Sequence, residues 1–213
     1  MAEDIFECGL ESQTTVFDED QMLVSAAQTD TEAAARLYDK YYRPILGYIY
    51  HCTLDRDITE DLTANVFLAV FRHLGRYRWR QIPFRAWLYR IATNEVRTYY
   101  RRHRRARVVS LEDRDPGSAE AADRTAVAAP AVSDGPVAAE EYRLLHRAMQ
   151  QLRPKYRTVI VLRYFEDKTT AEISAITGQR EGTIRSQLHR GLAQLQDLLG
   201  RWGVLPESSG TQP

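Results

Sequence analysis

Residues 76–107, RYRWRQIPFRAWLYRIATNEVRTYYRRHRRAR, hold eleven arginines and one acid, Glu95, among two tryptophans and four tyrosines. Guanidinium groups bind phosphate, and flat rings beside them hold unpaired bases, at ~1–3 kcal/mol per base. At about 100° per residue, Arg90, Asn94, Arg97, Arg101 and Arg104 share one face of a helix, while Phe84, Leu88, Ile91, Ala92 and Tyr99 fall near the opposite one. A face made only for solubility mixes its signs, so an unbalanced arginine stripe points to a polyanion. Trp87 lies on the apolar side and reads as core; the loop ahead of the helix, with Arg76, Tyr77, Trp79 and Arg80, suits an opened strand.

A second constellation lies near the C-terminus, in DKTTAEISAITGQREGTIRSQLHRGLAQLQDLL. Thr169 and Glu172 have capping-box spacing, Ile173 and Ile176 give a short helix its buried side, and Gly178 stands where a left-handed C-cap is needed. The next helix carries Ile184, Leu188, Leu192, Leu195 and Leu199 on one stripe and Arg185, Ser186, His189 and Arg190 on the other, the layout of a helix-turn-helix. Layout alone also fits a plain helical hairpin, with His189 as an ordinary surface histidine.

Elements must hold these groups, and the pattern is helical throughout. Apolar residues recur at three- and four-residue steps through Leu37, Tyr41, Ile45, Tyr48 and Ile49, then Ile58, Leu62, Val66, Val70 and Leu74. Thr29 with Glu32, and Asp57 with Glu60, have the spacing of helix starts. Between the two constellations, residues 109–138 contain no aromatic side chain and three prolines, Pro116, Pro130 and Pro136, which predicts a flexible linker. Such a stretch spans roughly 30 Å as a coil and on the order of 100 Å extended. The expected organisation is all-α: a tail over 1–17, one helical domain over 18–108, the linker over 109–138, a smaller helical domain over 139–202 and a tail over 203–213.

The formal net charge of zero conceals segregation. Residues 1–70 carry a net −10, residues 71–108 a net +11, residues 109–138 a net −4 and residues 139–213 a net +3. No apolar run approaches the ~20 residues of a membrane span, and the acidic start MAEDIFECGLE lacks signal-peptide character, so no membrane insertion and a cytoplasmic location are expected. Two cysteines, Cys8 and Cys52, make no disulfide framework, and the pair His51 and Cys52 lacks further ligands at metal spacing. A tyrosine nucleophile at Tyr99 or Tyr100 is disfavoured, because no acids or histidines cluster with them in the sequence.

Taken together, DLTANVFLAVFRHLGRYRWRQIPFRAWLYRIATNEVRTYYRR and LRPKYRTVIVLRYFEDKTTAEISAITGQREGTIRSQLHRG resemble bacterial sigma-70 superfamily factors of the extracytoplasmic-function group, minimal factors with only the second and fourth conserved regions. The likeness spans roughly residues 18–107 and 139–200. It implies a transcription initiation factor, not an enzyme, with no cofactor and no metal. The implied partners are core RNA polymerase, through its beta-prime clamp helices and beta flap, promoter DNA, and an anti-sigma factor.

Residue by residue, the resemblance assigns polymerase docking to Asp61, Thr63, Asn65, Val66 and Phe67. Melting and reading of the minus-ten element fall to Arg76, Tyr77, Trp79, Arg80, Arg90, Asn94, Arg97 and Arg101. Duplex reading of the minus-thirty-five element falls to Arg180, Thr183, Arg185, Ser186, His189 and Arg190. The chain departs from the family at Ala64 and Asn65, where Gln and an acid are usual, near Thr98, where an aspartate is common, and at Gln187, where an arginine is frequent. Two other classes stay open on sequence grounds: an autonomous DNA-binding regulator, which would hold duplex DNA tightly without polymerase, and a DNA-processing enzyme, which would cleave it.

Overall fold

The computed structural model describes residues 20–78, 83–112 and 135–203, with side chains described through 104 and again from 142. Helix α1 covers residues 20–26, followed by α2 (Thr31–Thr53), α3 (Arg56–Leu74) and α4 (Phe84–Glu112). After the interval come α5 (Gly135–Gln151), α6 (Pro154–Ile160) continuing into a π-helical turn (Val161–Phe165), α7 (Thr170–Thr177) and α8 (Glu181–Arg201). No strand occurs among the described residues.

Two helix starts differ from the spacing argument. Asp30, not Thr29, caps α2, accepting from the Glu32 amide at 2.9 Å, because Thr29 is still in the turn that closes α1. Asp55 caps α3, accepting from the Ile58 amide at 3.0 Å, which leaves Asp57 in the first turn to face the helix dipole. Helix α4 runs on to Glu112, and α5 opens at Gly135 with Pro136 second, a position where a missing amide hydrogen costs nothing. Residues 113–134 lie outside the described residues, as do residues 1–19 and 204–213.

Helices α1 to α4 enclose a core of Leu37, Tyr41, Ile45 and Tyr48 from α2, Leu62, Val66, Phe67 and Val70 from α3, and Phe84, Leu88, Tyr89 and Ala92 from α4. Each such side chain contributes roughly 1.5–3 kcal/mol by leaving water. Burial even decides a backbone conformation: Leu54, at the end of α2, takes φ 60° without being glycine, and its side chain is only 2 % exposed. The left-handed conformation costs ~1–2 kcal/mol, which burying leucine offsets. At the other end, Tyr41 donates to the buried carboxylate of Asp20, which also pairs with Lys40 at 2.7 Å and ties α1 to α2.

The second core holds Met149, Leu152, Val159, Leu162, Ile173, Ile176, Ile184, Leu188 and Leu195. The stripe on α8 uses Gly191 where Leu192 was expected: Leu192 is exposed, and Gly191 lies against α6. A Cβ there would meet Ile160 Cδ1 at 2.8 Å and Tyr156 Cβ at 3.2 Å, so only glycine permits this approach of α8 to α6.

The two cores meet along a continuous seam. Arg157, 5 % exposed, donates from Nη1 to the Cys52 carbonyl at 2.9 Å and the Tyr100 hydroxyl at 2.8 Å. Its remaining bonds reach the carbonyls of Met149, Gln150 and Leu152 at the end of α5, at 2.8, 2.7 and 3.2 Å. His146 stacks on Tyr50 and Phe165 packs on His51 at 4.3 Å. Farther along α4, Tyr89 donates to Glu166, Lys168 sits over the Tyr89 ring, and Arg97 donates to the Thr177 carbonyl at 3.0 Å. The π turn sets this register, since its wider winding carries Phe165 and Glu166 toward α2 and α4.

Candidate nucleic-acid interface

Helix α4 divides as its periodicity requires. Phe84, Leu88, Tyr89, Ala92, Thr93 and Val96 are buried, and the Thr93 hydroxyl meets that of Tyr48 at 2.8 Å. Arg90, Asn94, Arg101, Arg102 and Arg104 are exposed. Arg97 belongs to the same turn sequence but is half-buried, its guanidinium bound to the Thr177 carbonyl. Trp87 is half-buried against Tyr77 and Phe84, with ring centroids 4.9 and 5.5 Å away, so it packs as the sequence suggests.

The loop ahead of α4 begins in an ordered way. Gln28 Nε2 donates to the Leu74 and Tyr77 carbonyls at 3.2 and 3.0 Å, and Arg78 Nη1 bonds to the Gly75 and Tyr77 carbonyls. Arg76 is exposed, but Tyr77 is only 8 % exposed, and burial raises its hydroxyl pKa to about 12. Tyr77 therefore supports the loop from beneath, its ring packed against Phe84 and Trp87. Trp79 and Arg80 lie outside the described residues.

The helix-turn-helix forms with the predicted chemistry. Thr169 and Glu172 make a reciprocal capping box, and Gly178 ends α7 at φ 70°. Ser174 Oγ donates to the Gln179 carbonyl at 2.6 Å, fixing the turn into α8. Arg180, Thr183, Arg185, Ser186, His189 and Arg190 are all exposed along the first half of α8, where a recognition helix meets base edges. Arg185 pairs with Glu181 at 3.1 Å. An exposed pair of this kind is worth ~0.2–1 kcal/mol, less than the ~1–3 kcal/mol of a bidentate guanine contact, so the pair leaves the Arg185 guanidinium available to a stronger acceptor. Gln187 is different: its Nε2 donates to Gln179 Oε1 at 2.8 Å, so it braces the turn and does not stand in for an arginine at the groove.

On α3 the expected docking set splits. Asp61 and Asn65 are exposed, whereas Thr63, Val66 and Phe67 are 1 %, 0 % and 5 % exposed and belong to the core. The outward face includes Glu60, Asp61, Ala64, Asn65, Leu68, Phe71 and Arg72, with Leu68 61 % exposed. Sequence reasoning followed one apolar stripe and overlooked the second, though the three-residue step from Leu68 to Phe71 and the four-residue step from Ala64 to Leu68 carry its signal.

Burial pushes the Tyr100 hydroxyl up to about 12, and it is engaged in donating to the Cys52 carbonyl at 2.8 Å. Burial likewise pushes the Cys52 thiol up to about 12. Among the described residues no group of three His, Cys, Asp or Glu side chains is arranged to hold a metal ion, and no helix is long and apolar enough to cross a membrane.

Comparison with known proteins agrees with this geometry. Residues 37–106 match the family model Sigma-70 region 2, and residues 142–195 match Sigma-70, region 4. The chain is 33% identical over 171 residues to the RNA polymerase sigma factor CarQ of Myxococcus xanthus, covering 79% of this chain and 90% of that protein. It is 29% identical over 179 residues to the ECF RNA polymerase sigma factor BldN of Streptomyces coelicolor, covering 83% of this chain but 64% of the relative's length. In fold it is similar to CnrH, solved in complex with the cytosolic domain of CnrY, with a TM-score of 0.61 and 20% identity over 85% of this chain and 97% of that one. The chain belongs to the sigma-70 family, in its extracytoplasmic-function group.

Proposed function

We propose that the protein is a promoter-recognition subunit of bacterial RNA polymerase, acting in the cytoplasm, where it directs the core enzyme to particular promoters and helps to open them. The observation that carries this reading is the pairing of an exposed arginine stripe on α4 with a helix-turn-helix whose recognition face is exposed and cationic. Arg90, Asn94 and Arg101, with Arg76 and the loop residues Trp79 and Arg80, meet the minus-ten strand. Arg180, Thr183, Arg185, Ser186, His189 and Arg190 meet the minus-thirty-five duplex. The outward face of α3 docks on the beta-prime clamp helices, the helix-turn-helix module on the beta flap, and an anti-sigma protein holds the factor in reserve. Chemistry belongs to the polymerase; this chain supplies recognition and strand capture.

Transcription from a promoter library, with core polymerase and this chain, tests the reading. Initiation at a discrete subset sharing two spaced motifs is expected. No association with core polymerase, or tight specific duplex binding by the chain alone, would replace it with the autonomous regulator.

A further inference from the structure

A cavity of about 160 Å³ lies where α4 faces α6 and the turn into α8. Its walls are apolar: Val96 and Val159, each 1 % exposed, the ring of Tyr100 and the pyrrolidine of Pro154. An apolar cavity of ~150 Å³ is large enough to hold one benzene ring. Pro154 and Lys155 are exposed and border the cavity, so a ligand reaches it from solvent.

The polar capacity left around this space is mostly that of donors. The Tyr100 hydroxyl already donates to the Cys52 carbonyl at 2.8 Å and accepts from Arg157, and the Thr158 hydroxyl donates to the Pro154 carbonyl at 3.0 Å. Arg97 spends one nitrogen, Nη1, on the Thr177 carbonyl at 3.0 Å, which leaves Nε and Nη2 as donors. Gln179 accepts at Oε1 from Gln187 at 2.8 Å, which leaves its Nε2. Lys155 adds a second positive charge. It rests 4.8 Å over the Tyr156 ring, an exposed cation–π contact weaker than a charge-assisted bond to a carboxylate. No acidic side chain lines the cavity, so the two cations border it without a counter-ion there. A neutral ring would leave those cations unpaired, and a bare inorganic anion would leave the valine walls uncovered.

We propose that this cavity is a binding site for a small planar carboxylate with one aromatic ring, of the size of benzoate. The ring lies between Val96, Val159 and Tyr100, and the carboxylate is held by Arg97, Lys155 and Gln179. Few precisely placed polar groups on a mostly apolar lining are the usual make-up of a small-molecule site. The site uses none of the exposed residues assigned to promoter DNA, so it does not depend on that reading.

The test titrates the full chain with sodium benzoate, read by amide NMR shifts in about 0.15 M potassium chloride, where exposed charges are screened beyond ~8 Å. Saturable shifts are expected at Arg97, Thr158 and Gln179, with a Kd of about 0.1–1 mM, the range open to a ligand of so few atoms. Acetate and inorganic phosphate, which lack the ring, and benzyl alcohol, which lacks the charge, should each bind at least about tenfold more weakly. Lys155→Glu, at an exposed position, should weaken benzoate about tenfold or more and leave benzyl alcohol unchanged. Val159→Phe puts a ring of the protein into the same space and should abolish the benzoate shifts. Shifts that do not saturate or that fall elsewhere would overturn the site, as would phosphate, acetate or benzyl alcohol binding as tightly as benzoate. An unchanged benzoate Kd in Lys155→Glu, or in a folded Val159→Phe chain, would overturn it too. Should Val159→Phe fail to fold, the four probes and Lys155→Glu decide the question by themselves.

Discussion

Arg90 and Arg101 project from the exposed side of α4, and Arg185 from α8, and the proposed function gives these side chains different work. A phosphate contact gives affinity without base information. Arg101→Ala should therefore weaken promoter complexes about equally across sequences and lower the slope of log affinity against log salt by about one. An unchanged slope in titrations with potassium chloride would remove Arg101 from the interface. Arg185→Ala should instead cost ~1–3 kcal/mol at the preferred minus-thirty-five sequence and relax preference at one base pair, as read by initiation from a randomised element. Equal loss at every sequence would make Arg185 a phosphate contact.

Among the elements, α3 and α8 show how a helix divides surface from core. Leu68→Asp on the outward face of α3 should lower affinity for core polymerase tenfold or more while leaving thermal stability nearly unchanged, since surface changes are usually within ±0.5 kcal/mol. Val66→Ala, two residues away and fully buried, should lower stability by roughly 1–3 kcal/mol. The opposite pattern in calorimetry and polymerase binding would return the docking role to the buried set. Gly191→Ala weighs two effects. Alanine favours helix by up to ~1 kcal/mol over glycine, but overpacking against Ile160 and Tyr156 costs ~1–3 kcal/mol, so a net loss of about 1 kcal/mol is expected in urea unfolding. A stabilised variant would mean that Ile160 simply moves aside.

For the whole molecule, the seam gives stability a pH dependence. Burial, with His146 opposite, lowers the His51 imidazole from 6.5 to about 4. The unfolded chain thus binds more protons in this window, so the stabilisation is complete above about pH 6.5 and is lost as pH falls toward 4. The shift is on the order of 2–3 kcal/mol across that range. The groups that face His51 are Tyr50 on its own helix, His146 on α5 and Phe165 on the π turn, with Arg157 acting on His146. In His51→Phe, urea midpoints should fall less between pH 7 and 4.5 than in the unmodified chain. Equal falls in the two proteins would place the acid sensitivity elsewhere.

The periodicity of Leu37, Tyr41 and Ile45, the capping box of Thr169 and Glu172, the turn glycine Gly178 and the arginine stripe on α4 are local patterns, and they determined the helices, the helix-turn-helix and the cationic face of α4. Helix faces and caps depend on neighbours within a turn, so one sequence suffices to read them. What depended on packing was decided only in three dimensions: that Thr63, Val66, Phe67 and Tyr77 turn inward, that Leu68 turns outward, and that Gln187 braces a turn. Arg157 is the strongest case. Its partners Cys52 and Tyr100 lie 105 and 57 residues away, and nothing in VIVLR or KYRT marks it as different from the arginines that face solvent. Contacts closed over such separations are set by how whole helices stack, which no local pattern records.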